Sequence, residues 1–231
     1  MAIDTFLNVF NNELMGKSEE TRRKISDIAL ASFQERGYEQ TTLRLIASEA
    51  GISVGNAYYY FPTKNHLVQE LYMSVQERHL EVVRPRLEGV TDLAARLEMA
   101  LLTGLDGLAP YHDSAPGFLS AAIAPQSPVS PFGEDSAAPR ALAMSVFQLV
   151  VDGSTTTVPA DLKRRLPELL WLAYMGLALF WVYDRSDAQQ KSRRIVMRAT
   201  KLLGTLLPLL RLPFVRGPLN EFLDLVQEAR S

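Results

Sequence analysis

The chain of 231 residues contains no cysteine. Disulfides and thiolate metal sites are therefore excluded, and the composition suits a reducing compartment such as the cytoplasm. Histidine is scarce. His66, His79 and His112 lie far apart, with no i,i+4 pair and no HExxH, so neither a metal site nor any other cofactor is expected. Catalytic signatures are missing as well: no GxSxG elbow, no paired carboxylates at a telling spacing, no Rossmann glycines. Gly16-Lys17-Ser18 resembles the end of a phosphate-binding loop, but Asn11 stands where its first glycine belongs and no strand pattern precedes it. The chain is not expected to be an enzyme.

Two further features are lacking. Met1 to Asn8 carries Asp4 and has neither a basic n-region nor a long apolar run, so no secretory signal is read. The apolar stretch Leu169–Tyr183 falls short of the roughly 20 residues a bilayer requires. Asp184 and Arg185 close it, so it reads as a buried helix and no membrane partner is expected. The net charge of −2 rules out a polybasic coat but not specific DNA binding, which needs only a local basic face and suitably aimed amides.

What is present is helical period. No convincing period-2 alternation occurs, and the chain reads as all-α. Ile3, Phe6, Leu7, Phe10 and Leu14 suggest a short amphipathic helix or an unstructured arm over 1–17. A helix is expected from Ser18, with Ile25, Ile28, Ala29 and Phe33 on one face and Gly37 as its terminator. Two short helices follow at 41–51 and 53–60, then a longer one from Lys64 to about Arg84. Thr91 is the expected N-cap of a helix to about Leu108. Residues 109–138, with Pro110, Pro116, Pro125, Pro128 and Pro131, read as loops and short turns. Helices resume at 139–151, 161–184 and 187–210, and Leu219, Phe222, Leu223 and Val226 mark a last amphipathic segment. The domains expected are an extension (1–17), an N-terminal three-helix domain (18–79) and a C-terminal helical domain (80–231).

The informative run is Thr41 to Lys64. Thr42 can cap one short helix and Ser53 the next, while Gly51 stands where the turn between them needs positive φ. Ala47 and Ala57 are small enough for close crossing, and Ile46, Tyr58 and Phe61 are expected to fill the contact. This is helix-turn-helix spacing, about 42–61. Left outside are Val54, Gly55, Asn56, Tyr59 and Tyr60. Asn56 can hydrogen-bond base edges, Val54 can touch a thymine methyl, and the tyrosine hydroxyls can reach phosphates. Thr42 and Lys64 are placed for phosphate, and Arg44 can reach a guanine edge. Arg22-Arg23-Lys24 is either a further phosphate contact or a solvated face.

The run from Thr21 to about Tyr72 resembles the DNA-binding domain of TetR-family transcriptional regulators. The resemblance rests on Phe33-Gln34-Glu35-Arg36-Gly37-Tyr38, Thr41-Thr42, Ile46-Ala47, Ala50-Gly51-Ile52-Ser53, Gly55, Tyr58, Phe61 and Lys64 with Leu67. It implies an operator-binding domain followed by a divergent helical domain that binds ligand and dimerises, most often as a cytoplasmic repressor. Many relatives carry Lys where Val54 stands and His where Tyr60 stands, so this chain departs from the pattern at its DNA face.

The remainder of the chain carries candidate partner surfaces. Leu177, Phe180, Trp181, Ile195, Ala199, Leu202, Leu203 and Leu206 are the expected homodimer interface, two apolar helices from each subunit forming a four-helix contact. Met99, Leu102, Phe118, Ile123, Phe147, Trp171 and Tyr174 are candidate walls of a site for a small hydrophobic or aromatic effector. A second reading is a DNA-binding architectural or protein-interaction factor of the same fold with no small-molecule ligand.

Overall fold

The computed structural model describes residues 2–124, 126–211, 217, 221 and 228. Among them are nine α-helices joined by short 3₁₀ turns, and no strand. They are α1 (Ala2–Gln40), α2 (Leu43–Ala50), α3 (Val54–Tyr60), α4 (Lys64–Arg86), α5 (Leu93–Leu108), α6 (Ala115–Ile123), α7 (Ala137–Asp152), α8 (Ala160–Val182) and α9 (Gln190–Leu206). The all-α expectation holds. The apolar faces read at Ile3–Leu14 and at Leu219–Val226 fall on side chains outside the described residues.

Two boundaries differ from the sequence reading. The first helix runs through Ser18 without a cap, because nothing between Gly16 and Glu20 forbids helical backbone and the Ser18 hydroxyl is directed to Tyr60 Oη instead. The N-cap of α5 is Asp92 rather than Thr91: its carboxylate accepts from Ala95 N at 2.8 Å. Thr91 contributes its carbonyl, which accepts from Thr155 N and Ser154 Oγ, both at 3.0 Å.

The contacts divide the chain into two compact units, Met1–Ser74 with Pro110–Ala137, and Val75–Ala109 with Ala138–Ser231. In the first unit Ile25, Ala29 and Phe33 of α1 fall at i, i+4 and i+8 and are buried with Ile46, Ala47, Ala57, Phe61, Leu67 and Val68. The Pro-rich segment joins this core through specific contacts. Phe118 of α6 lies edge-on to Phe33 (ring centroids 5.1 Å) and 5.7 Å from Tyr38. The Gln69 amide donates to Pro128 O (3.1 Å) and Ser136 Oγ (3.0 Å). Tyr72 Oη donates to Val129 O at 3.2 Å, and burial pushes its hydroxyl up to about 12, so the proton stays.

The second unit is organised by two charged groups at helix ends. Arg96 of α5 is buried, yet no carboxylate among the described residues pairs with it. Its guanidinium donates to Leu149 O (2.7 Å) and Val150 O (2.9 Å) in the last turn of α7, and to Leu87 O (2.8 Å) and Val90 O (2.5 Å) just past α4. A cation at two helix C-termini satisfies carbonyls that the helices leave open. Gly153 makes room for it, since a Cβ there would stand 2.1 Å from Nη2.

Asp184 joins α8 to α9 and is buried. Burial pushes its carboxyl up, but hydrogen bonds from the hydroxyls and amides of Ser186 and Ser192 outweigh this and hold it far below the usual carboxylate range. The four distances are 2.6 and 3.0 Å to Ser186, and 2.8 and 2.8 Å to Ser192. α8 is long and apolar enough, by length and composition alone, to cross a membrane. It buries Leu162, Leu166, Leu170, Trp171, Tyr174, Leu177 and Trp181 within the second unit and carries Lys163, Arg164 and Arg165 near its start.

Asp184→Asn places amide hydrogens against groups that all donate. It should destabilise the protein by about 2–3 kcal/mol, the worth of a few hydrogen bonds to a buried charged acceptor. Because the folded-state value is depressed, this stabilisation is complete above the ordinary carboxylate value of about 4 and fades as pH falls below it. Thermal unfolding at pH 7 and pH 3 should show the gap between wild type and variant narrowing at the lower pH.

Candidate nucleic-acid interface

The site is built from α2, the turn after it, and α3. Thr42 Oγ1 accepts from Leu45 N at 3.2 Å and starts α2; Ser53 Oγ accepts from Asn56 N at 3.1 Å and starts α3. Between them Gly51 adopts φ 67°, ψ 32°, the left-handed conformation that glycine reaches without strain. Its N–H reaches Ser48 O (3.2 Å), and that of Ile52 reaches Ala47 O (3.0 Å). Lys24 of α1 closes the same end by donating to Ala50 O at 2.8 Å.

α3 buries only Ala57 along its length, with Phe61 buried immediately after it. Val54, Gly55, Asn56 and Tyr59 are exposed, Tyr59 at 77%. Tyr60 is half-buried, its ring edge-on to that of Tyr59 at 5.2 Å. Ser18 Oγ donates to Tyr60 Oη at 3.3 Å, so the start of the described α1 side chains braces the end of α3. Thr42 and Arg44 are exposed beside this surface on α2. The arrangement offers one polar amide, one guanidinium, several hydroxyls and a bare glycine backbone from a short helix standing clear of the core.

Lys64 is placed differently from the others. Its ammonium donates to Tyr38 O at 2.9 Å and lies 3.8 Å from the centroid of the Tyr38 ring. Burial lowers its pKa, with Glu39 acting in the opposite sense. The basic run also has internal roles: Arg22 pairs with Glu70 and covers the Phe61 ring at 4.7 Å, and Lys24 caps α2. Only Arg23 of the three stands exposed with no such bond described.

Tyr58 corrects the sequence reading. It is 47% exposed rather than packed between helices, because it follows Val54 by four residues and shares its outward side. That i,i+4 relation was available in the sequence and adds Tyr58 to the outer surface.

The candidate effector residues are distributed over both units. Phe118, on Phe33 and Tyr38, and Ile123, exposed at 71%, belong to the first. Met99, Leu102, Phe147, Trp171 and Tyr174 belong to the second, where the rings of Phe147 and Tyr174 lie 5.9 Å apart.

Two family models match the chain: "Bacterial regulatory proteins, tetR family" over residues 25–71 and "Tetracyclin repressor-like, C-terminal domain" over residues 96–228. The chain belongs to the TetR family of transcriptional regulators. That family consists of regulators rather than enzymes. Its TetR-type helix-turn-helix is the α2–α3 pair described above. The repressor KstR of Mycolicibacterium smegmatis is 29% identical over 210 residues, 84% of this chain and 93% of its own. An uncharacterized HTH-type regulator of Mycobacterium tuberculosis is 33% identical over 93 residues, so the matched part spans 40% of that relative. Among solved structures, the TetR-family repressor FadR of Thermus thermophilus, in complex with lauroyl-CoA, superposes with a TM-score of 0.56 at 20% identity, over 78% of this chain and 92% of its own. At that identity the likeness establishes the fold.

The turn of this TetR-family motif makes a direct stability prediction. Gly51→Ala should cost about 1–2 kcal/mol for a left-handed alanine, and Ser53→Ala about 1 kcal/mol for a lost cap. Thermal unfolding of the two variants, each remaining helical by circular dichroism, checks both values.

Proposed function

We propose that this TetR-family protein is a sequence-specific transcriptional repressor that binds double-stranded operator DNA as a homodimer in the cytoplasm and is released by a small effector. The observation that carries the reading is α3, capped at Ser53, tied down at Ala57 and Phe61, and presenting Val54, Gly55, Asn56 and Tyr59 outward. A helix so presented fits the major groove, where base edges are distinguishable. Asn56 reads a base edge and Arg44 a guanine. Thr42, Tyr59 and Tyr60 hold phosphates, Gly55 admits the backbone closely, and Val54 supplies an apolar contact in place of a charge. Lys64 braces Tyr38 and offers its remaining donors to a phosphate. The repressors among the relatives support the sign of regulation.

The dimer reading is supported by apolar surface on the last two helices. α9 buries Ser192, Val196 and Thr200 and exposes Ile195, Ala199, Leu202 and Leu206, a stripe at helical spacing. α8 exposes Leu179 and Phe180, and Tyr183 just after it, while Leu177 and Trp181 turn inward. Leu203 is half-buried. Two copies of these faces brought together would bury both stripes, and a two-fold axis suits paired half-sites. The effector is a small compound held by the apolar and aromatic side chains of the second unit, Phe147, Trp171 and Tyr174 foremost.

Gel-shift titration against the DNA upstream of the protein's own gene should show Asn56→Ala and Tyr59→Ala weakening binding by about tenfold or more, in line with the loss of one base or phosphate contact. Unchanged affinity in both variants would remove those residues from the interface. Leu202, 58% exposed in the subunit, can be replaced without disturbing its core. Leu202→Asp should therefore sediment as a folded monomer, whereas Leu177→Asp, at a position 9% exposed, should lose thermal stability instead.

A further inference from the structure

We propose that Gln76, His79 and Tyr174 form a polar anchor for the effector, selecting an uncharged, hydroxyl-bearing group on an otherwise apolar compound. This deepens the effector reading above and rests on it. Tyr174 of α8 is 2% exposed, and its hydroxyl has no hydrogen-bond partner among the described residues. Gln76 of α4 has its side-chain oxygen buried, again without a partner. His79 stands three residues further along α4, on the same face, and is 3% exposed. Its ring lies 6.1 Å from that of Tyr174, and its Nε2 meets Ala100 O at 2.9 Å. A carbonyl only accepts, so Nε2 carries the proton and Nδ1 is left as an acceptor.

Gly104, inside α5, is the second observation at the same place. A Cβ there would stand 2.9 Å from Tyr174 Oη and 3.1 Å from His79 Cε1. A mid-helix glycine and two unpartnered buried polar atoms are each destabilising, and core packing alone would be better served by Ala, Phe and Leu. Tyr174 Oη and His79 meet at Gly104, and Gln76 lies one turn from His79 along α4. A polar group that arrives with a ligand would account for the atoms left open. Sites that must recognise something often retain such locally unfavourable chemistry.

The chemistry of the groups sets the class of ligand. Gln76 Oε1 and His79 Nδ1 accept; the Tyr174 hydroxyl donates or accepts. Burial lowers the pKa of His79 against the hydrogen bond to Ala100 that raises it, and burial holds the Tyr174 hydroxyl well above its ordinary value. Both are uncharged at neutral pH. An alcohol or phenol supplies the donor and acceptor that these groups lack. A carboxylate or phosphate would confront acceptors, and no cation is among the described contacts of His79 or Tyr174. Phe147, 5.9 Å from Tyr174, provides the apolar surround.

The test compares 2-naphthol, naphthalene and 2-naphthoate as probes of the full-length protein by equilibrium binding. 2-Naphthol should bind about tenfold more tightly than either of the others, the worth of one good hydrogen bond, and that preference should vanish in Tyr174→Phe and in Gln76→Leu. Without any probe, Tyr174→Phe should melt at or above the wild-type temperature, since it removes a hydroxyl that has no partner. Equal binding of naphthalene and 2-naphthol, or preference for 2-naphthoate, overturns the anchor while leaving an effector site standing. A marked fall in the melting temperature of Tyr174→Phe also overturns it, by showing a structural role for the hydroxyl. If none of the three probes binds and none alters the DNA gel shift, the reading of an aromatic effector falls together with the anchor.

Discussion

The left-handed residue at Gly51 sets the angle at which the polypeptide leaves α2 and enters α3. Its φ of 67° turns the chain within one residue, and two backbone bonds close α2 behind it. α3 has seven residues, too few to persist as an isolated helix in water. It holds its shape because Ser53 caps it, Ala57 and Phe61 fix its inner side in the core, and Ser18 meets the hydroxyl of Tyr60. The outward residues inherit their positions from these contacts. Specific recognition needs that inheritance, because base-edge hydrogen bonds discriminate only when the reading side chains start from a fixed backbone.

The second unit handles polar groups in two contrasting ways. At helix ends they are fully used: Arg96 serves two carbonyls of α7 and two just past α4, and Asp184 accepts from both hydroxyls and both amides of Ser186 and Ser192. Buried charges satisfied in this manner define geometry, here the joints α4–α5–α7 and α8–α9. In the interior, Gln76 and Tyr174 are left with buried atoms unmatched. The same unit that satisfies its charges so completely at the joints leaves neutral groups open at its centre. That contrast separates residues that hold the unit together from those proposed above to meet a ligand.

Local chemistry was legible in the sequence where a residue type has one physical use. Thr42, Gly51 and Ser53 could be read as cap, turn and cap, and the structure shows each bond. Tyr58 suits a core by residue type, whereas its spacing from Val54 points outward, where the structure has it. Thr91 and Asp92 are both good caps, and only backbone conformation decided for Asp92. The attachment of 110–137 to the first unit was not legible, since it depends on pairs far apart in sequence such as Phe33 with Phe118 and Gln69 with Pro128. α8 is apolar nearly all round, so periodicity could not tell that Leu177 and Trp181 face inward and Phe180 outward. Arg96 gave no sign of burial except a distant glycine at 153 that makes room for it.

The central claim is that α3 of a two-fold dimer reads DNA sequence. Selection of bound molecules from a random duplex library by the purified protein tests it most directly. The account predicts enrichment of an inverted repeat whose half-sites are separated by about one helical turn or a multiple of it. Recovery of duplexes with no shared sequence, at an affinity governed by salt alone, would contradict it.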